Sequence, residues 1–115
     1  MELKRDLVKY IRDKAKSKYK KGCECEICGD TVKLDFHHYN SLTRLLDKWV
    51  KENNVERYLV MEWREEFIDE HDAELYEYTA TLCHKHHLQL HSIYGKDPLL
   101  STATKQERWV RIQRE

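Results

Sequence analysis

Leu82-Cys83-His84-Lys85-His86-His87-Leu88-Gln89-Leu90-His91 is the stretch on which the fold turns. Cys83 and His86 stand in C-x-x-H spacing, a hook with two metal ligands. His87 and His91 are four residues apart, so on a helix they share a face and can grip one ion. Upstream, Cys25-Glu26-Ile27-Cys28-Gly29 is C-x-x-C followed by the glycine that lets a chain turn tightly beneath two thiolates. Cys25, Cys28, Cys83 and His86 together make a Cys3His zinc set with all four positions filled. Such a site staples a small core and does no chemistry. The long gap between the hooks calls for a helical insert looped out between them. Cys23 is left over, either replacing Cys25 or remaining a free thiol. A redox C-x-x-C is the competing reading, but the βαβ pattern such sites need is missing.

The 115 residues (14.0 kDa) amount to one domain with a modest core. The chain is 37% charged and 40% hydrophobic, with a mean hydropathy of -0.89, and its one Pro and three Gly argue against disorder. Lys+Arg and Asp+Glu both number 21, which excludes a uniformly basic nucleic-acid coat and an acidic disordered tail. No run is long and apolar enough for a bilayer span, and Met1-Glu2-Leu3-Lys4-Arg5 is not a signal peptide. A reducing, cytoplasmic location is therefore expected, where cysteines at metal spacing mean zinc before disulfides. Charge is uneven along the chain. Residues 1–22 carry nine Lys/Arg against three acids, and residues 56–78 carry nine acids against Arg57 and Arg64. A basic arm on a neutral protein is an electrostatic footprint for a polyanion, with a solvated helix face as the alternative.

Hydrophobic spacing places the elements. Leu3, Leu7, Val8, Ile11 and Ala15 predict an amino-terminal helix to about Tyr19, and Val32 to Phe36 alternates as a half-buried strand does. Ser41 is positioned to cap a helix carrying Leu42, Leu45, Leu46, Trp49 and Val50, broken at Asn53-Asn54. Leu59, Trp63 and Phe67 stack on the next helix, and residues 79–82 form a short strand. His84 to Ile93 is a helix stopped by Gly95 and Pro98, and Lys105 to Arg114 is a last helix with Trp109, Val110 and Ile112 inward. The expected class is α+β and mostly helical, one domain over 1–115. It comprises a basic helix at 1–21, a helical insert at 40–77 and a C-terminal helix at 99–115.

His37-His38 ends the first strand. Adjacent strand residues point opposite ways, so one imidazole can ligate the ion held by His87 and His91 while the other acts as a base. The bland alternative is surface or packing histidines. Cys25-x-x-Cys28, Leu34-Asp35-Phe36-His37-His38 and Leu82-Cys83-x-x-His86-His87-x-x-x-His91 resemble the HNH endonucleases of the ββα-metal type, in their small zinc-stapled, phage-encoded branch. The resemblance covers roughly Cys25 to Tyr94 without the insert.

That resemblance implies a ββα-metal core with a structural zinc. It makes His37, His87 and His91 ligands of one catalytic divalent metal and His38 the general base of DNA phosphodiester hydrolysis. Three imidazoles favour Zn²⁺, Ni²⁺ or Mn²⁺, with Mg²⁺ still able to support turnover. Activity should rise through about pH 6–7 as the base loses its proton, unless the cation shifts it. The family's Asn, which braces the base-bearing loop, is replaced here by Tyr78. Lys14, Lys18 and Lys21 of the arm and Lys105, Arg108 and Arg111 of the last helix are expected to hold DNA phosphates. A phage-encoded chain would act in the host cytoplasm. The acidic stretch is either a surface for a phage or host protein partner or a solvated helix. The rival functions are a non-catalytic zinc module binding nucleic acid or protein, and a zinc-stapled hydrolase acting on another substrate.

Overall fold

The computed structural model describes residues 7–115; Leu3, Lys4 and Arg5, counted above in the helix stripe and the basic arm, lie outside them. Helix α1 (Leu7–Ala15) buries Leu7, Ile11 and Ala15 and runs into a 3-10 turn at Lys16–Lys18. Strand β1 (Leu34–His38) is followed by α2 (Leu42–Asn53), α3 (Val60–Glu70), β2 (Thr79–Cys83), α4 (His84–Tyr94) and α5 (Ala103–Arg114). β1 and β2 pair antiparallel with Leu34 opposite Cys83 and His38 opposite Thr79, so α2 and α3 lie between two paired strands. This is an α+β fold. No described helix is long and apolar enough to cross a membrane.

Local chemistry fixes the boundaries. The Ser41 side chain accepts from the Arg44 amide at 3.4 Å, capping α2, and Asn54 ends the helix in the left-handed region at φ 50°. Gly95 closes α4 at φ 92°, its amide donating to the His91 carbonyl at 2.8 Å. The first strand starts two residues later than its alternation predicts. Lys33 is held at φ 53°, its carbonyl accepting from the His84 amide at 2.9 Å, and the Val32 amide donates to Asp30 Oδ1 in a turn. Val32 is consequently 62% exposed, not half-buried. Ile112 is likewise exposed, at 52%; the inward stripe of α5 is Ala103, Gln106 and Val110.

Two clusters of buried side chains result. One joins α1, α2 and α3 around Ile11, Leu46, Trp49, Val60, Trp63, Phe67 and Leu75. The other lies under the strands, α4 and α5, around Tyr39, Ala80, Leu82, Leu90, Ala103 and Val110.

Candidate metal centres and the histidine cleft

The first knuckle is built by backbone hydrogen bonds. The Cys25 amide donates to Asp30 O at 2.8 Å and the Gly29 amide to Cys25 O at 2.9 Å, a turn that needs φ +75° at Gly29. Glu26 clamps the turn onto β2: its amide donates to Thr81 O, and its carboxylate accepts from the Thr81 amide at 2.7 Å. Cys25 and Cys28 thereby face Cys83, at the end of β2, and His86, on the first turn of α4.

The four ligand atoms lie within 4.8 Å of one another. Cys28 Sγ is 3.8 Å from Cys83 Sγ, and His86 Nδ1 is 3.2 Å from Cys83 Sγ and 3.8 Å from Cys25 Sγ. Metal–sulfur bonds of about 2.3 Å in a tetrahedron give sulfur–sulfur edges of about 3.8 Å, so the donor set fits one closed metal site. Burial pushes the Cys25 thiol up, but amide hydrogen bonds from Cys28, Cys83 and Ile27 outweigh it and bring the pKa down to about 6. That favours the thiolate, the ligating form. Cys23 is exposed and stands outside this group.

A second group consists of His37, His87 and His91. His37 Nδ1 lies 3.1 Å from His87 Nε2, and His91 Nε2 lies 3.0 Å from the same atom. Nitrogens bound at about 2.1 Å to one ion are spaced by about 3.0–3.4 Å, so these fit a single ion too. The far nitrogen of each ring is already engaged. His37 Nε2 meets Gln106 Oε1 at 2.8 Å, His87 Nδ1 meets Asp35 Oδ2 at 3.1 Å, and His91 Nδ1 meets the Gly95 carbonyl at 2.8 Å. Each acceptor takes a hydrogen bond from the outer N–H, so the ring's proton stays there and a bare lone pair is left on the inward nitrogen. Burial, with His87 and His91 nearby, lowers the His37 pKa to about 3 against the opposing Gln106 hydrogen bond. His87 is also lowered, chiefly by burial. Both shifts favour neutral His37 and His87, the form that ligates. Asp35 also accepts from His84 Nδ1 at 3.0 Å; these hydrogen bonds hold its carboxylate below the ordinary range although burial opposes them.

His38 points the other way. Its Nε2 lies 3.1 Å from the carbonyl of Leu75, in a single π turn at Ala73–Glu77. That turn precedes β2, so the Leu75 carbonyl has no helical donor and His38 supplies one. Tyr19 stacks on Phe36 at 4.6 Å and meets the His38 ring edge-on at 5.1 Å. Burial lowers the His38 pKa to about 4, with the Leu75 hydrogen bond opposing and the Arg12 charge adding to the fall. His38 is therefore neutral above about pH 5, and its Nδ1 is the free acceptor. That pKa lies below the range of about pH 6–7 expected of an unperturbed imidazole.

A cleft of about 270 Å³ is lined by His37, His38, His87 and His91 together with the charged Arg12, Lys96 and Asp97. The structure thus brings all four predicted histidines to one opening. Tyr78, in place of the expected Asn, donates its hydroxyl to Glu107 Oε1 at 3.1 Å, and its ring lies 4.9 Å from Tyr39. Of the expected phosphate contacts, Lys14 is 3.0 Å from Glu65, and Lys21 donates to the Leu34 carbonyl at 3.1 Å. Lys18 is exposed, as are Lys105, Arg108 and Arg111 at three-residue spacing on α5. Sequence reasoning missed Asp35, Leu75 and Gln106. Gln106 alone had a signal, its place between Ala103 and Val110 on the inward stripe.

Paired strands feeding a helix, with two clusters of side chains that could each hold a metal ion and a histidine-lined cleft, define a small α+β protein with candidate metal sites. The whole chain, residues 1–115, matches the model of the nicking endonuclease family named for phage T5, and it belongs to that family. It is on that ground a phage-type DNA endonuclease. No solved structure matches it.

Proposed function

We propose that this endonuclease is of the HNH, ββα-metal type. It hydrolyses one strand's phosphodiester with His38 as general base, a divalent metal held by His37, His87 and His91, and a structural zinc on Cys25, Cys28, Cys83 and His86. The observation that carries the reading is the convergence of three imidazoles whose outer nitrogens are all engaged, beside a fourth that points away from them.

His38 holds its proton on Nε2, against Leu75, and so accepts at Nδ1. There it takes a proton from water as the water oxygen bonds to phosphorus and the bond from phosphorus to the 3′ oxygen breaks. Arg12 and Lys96 line the same cleft, where their charges meet the phosphate oxygens. A divalent ion bound by the three imidazoles supplies Lewis-acid stabilisation of the charge that develops on the phosphate and the leaving oxygen. The Leu75 carbonyl supports the base directly, so Tyr78 in the Asn position does not leave His38 unbraced. The Cys3His set does no chemistry because no position on it is open.

Supercoiled plasmid incubated with Mg²⁺, Mn²⁺, Ni²⁺ or EDTA tests this. Open circles should accumulate with at least one ion and not with EDTA. A chain that binds DNA but cuts it under none of these conditions is instead the non-catalytic module.

A further inference from the structure

Helix α5 lies outside the strands and helix that carry the cysteines and histidines, yet it supplies a buried side chain that meets the outer nitrogen of His37. Gln106 is fully buried, at 0% exposure. Its amide nitrogen donates to the Tyr39 carbonyl at 3.1 Å and to Thr102 Oγ1 at 3.0 Å, while Oε1 faces His37 Nε2 at 2.8 Å. The Tyr39 carbonyl can only accept, so the NH2 group must point toward it and the Gln106 oxygen toward His37. An oxygen there accepts only from a protonated Nε2, and the lone pair of His37 is forced onto Nδ1, the atom facing His87 and His91.

We infer that Gln106 is a positioning residue for the catalytic metal: it fixes the His37 tautomer and ring angle from α5, and so sets how tightly the three-histidine site binds a divalent ion. The inference rests on the proposed metal role of His37, His87 and His91. The backbone around it supports a device rather than a filler. Thr102, which receives the second amide hydrogen, sits in the 3-10 turn leading into α5, and Tyr39 follows the histidine pair directly. A bare Gln in an apolar stripe leaves unsatisfied polar atoms; this one is engaged on both sides, which makes its orientation rigid. An acceptor on the far nitrogen also raises the donor strength of the near one.

Two variants of the full chain test this against a purely packing role. Gln106→Met keeps the volume and removes the acceptor. Gln106→Glu keeps the acceptor. Divalent-ion binding is measured by titration with Ni²⁺ and Mn²⁺, and the His37 tautomer by long-range ¹H–¹⁵N correlation of the imidazoles. The wild type should show Nε2–H at His37. Gln106→Met should bind the ion about 10–100-fold more weakly and lose the single tautomer, while keeping its tightly held metal and its circular dichroism. Gln106→Glu should retain the tautomer and bind at least as tightly as Gln106→Met. Unchanged affinity and tautomer in a folded Gln106→Met overturn the inference, as does Nδ1–H at His37 in the wild type. If Gln106→Met does not fold, Gln106→Glu decides alone, and loss of the tautomer in it overturns the inference. A wild type that shows Nε2–H at His37 but binds no ion there overturns the proposed metal site itself, a result distinct from the others.

Discussion

Among the described residues, thirteen buried side chains, Trp49, Trp63 and Phe67 among them, pack α1, α2 and α3 together. Around the strands, α4 and α5 there are eight, two of which are Cys25 and Cys83 and three of which, Tyr39, Leu82 and Leu90, are large. Fully burying a Leu- or Phe-sized side chain stabilises by about 1.5–3 kcal/mol, so the helical half has the larger driving force and the histidine-bearing half the smaller. A structural zinc in a small module is associated with about 10–16 kcal/mol of apparent binding energy, on the scale that such a half lacks. The half that carries the proposed ligands is the half with less apolar burial. On the proposed zinc reading the comparison teaches a division of labour: one half is held by apolar packing, the other leans on metal, and the histidine cleft takes residues from both. His38 is braced from the helical side through Leu75, whereas His37, His87 and His91 belong to the metal side.

The largest effect should follow from emptying the closed site. Cys83→Ser, or prolonged chelation, should release the proposed zinc and abolish folding of residues 23–38 and 79–94. Hydrogen exchange should become fast there while α2 and α3 keep protected amides. A zinc-free protein with an unchanged melting curve would refute the division. The reverse experiment is Phe67→Ala, which opens a cavity in the helical half at 0% exposure. It should cost about 3–5 kcal/mol by denaturant titration and leave the tightly held metal at full stoichiometry. Loss of that metal at denaturant concentrations where the protein stays folded would show the halves to be one unit.

Much of this division was legible in the sequence, for a physical reason. Metal hooks need fixed spacing, and helix stripes need fixed periods, so Cys25, Cys28, Cys83 and His86 and the faces of α2 and α3 announce themselves. Ser41 and Asn54 do the same, because capping and left-handed geometry restrict residue type. The strand start was misplaced because the positive φ of Lys33 is imposed by its hydrogen bond to the His84 amide, a tertiary effect without local sign. Gln106 was missed because a polar residue on a helix is ordinarily solvated, and the Leu75 brace because a backbone carbonyl carries no sequence code at all.

Next in size is the base, which tests whether the cleft draws on both halves. His38→Ala should lower cleavage by about 10²–10⁴-fold while both metals and DNA affinity remain. His91→Ala should instead weaken the second metal, with partial rescue by excess Mn²⁺. If His38→Ala strips metal and His37→Ala does not, the roles are reversed. The pH profile adds a sign. The base works when neutral, so activity should persist as pH falls and fail only near the folded pKa of about 4. An acid limb at pH 6–7 would mean that His38 is solvated in the working enzyme. Stability must be followed alongside: His37 and His38 are held below the ordinary value of about 6.5, so their contribution is present above that pH and is lost progressively beneath it.

The smallest effect concerns which half holds DNA. Arg108 is exposed on α5, in the metal half, and no ion pair involves it among the described residues. Lys14 is exposed on α1, in the helical half, but its ammonium already lies 3.0 Å from Glu65, whose carboxyl that contact holds below its ordinary value. A cation that releases a counterion on meeting phosphate steepens the salt dependence of binding by about 0.9 in log–log slope, worth roughly fivefold in affinity near 0.15 M salt. Arg108→Ala should show a loss of that order at unchanged stability, measured by fluorescence anisotropy on a duplex oligonucleotide. Lys14→Ala should show less, because Glu65 competes with phosphate for the same charge and part of the ion-pair energy is surrendered on binding. Removing the competitor should invert the ranking: Glu65→Gln should tighten DNA binding and steepen its salt slope. If Lys14→Ala costs more than Arg108→Ala, or if Glu65→Gln leaves affinity untouched, the phosphate-holding surface is not divided between the halves in this way, and the acidic face of α3 does not weaken the arm beside it.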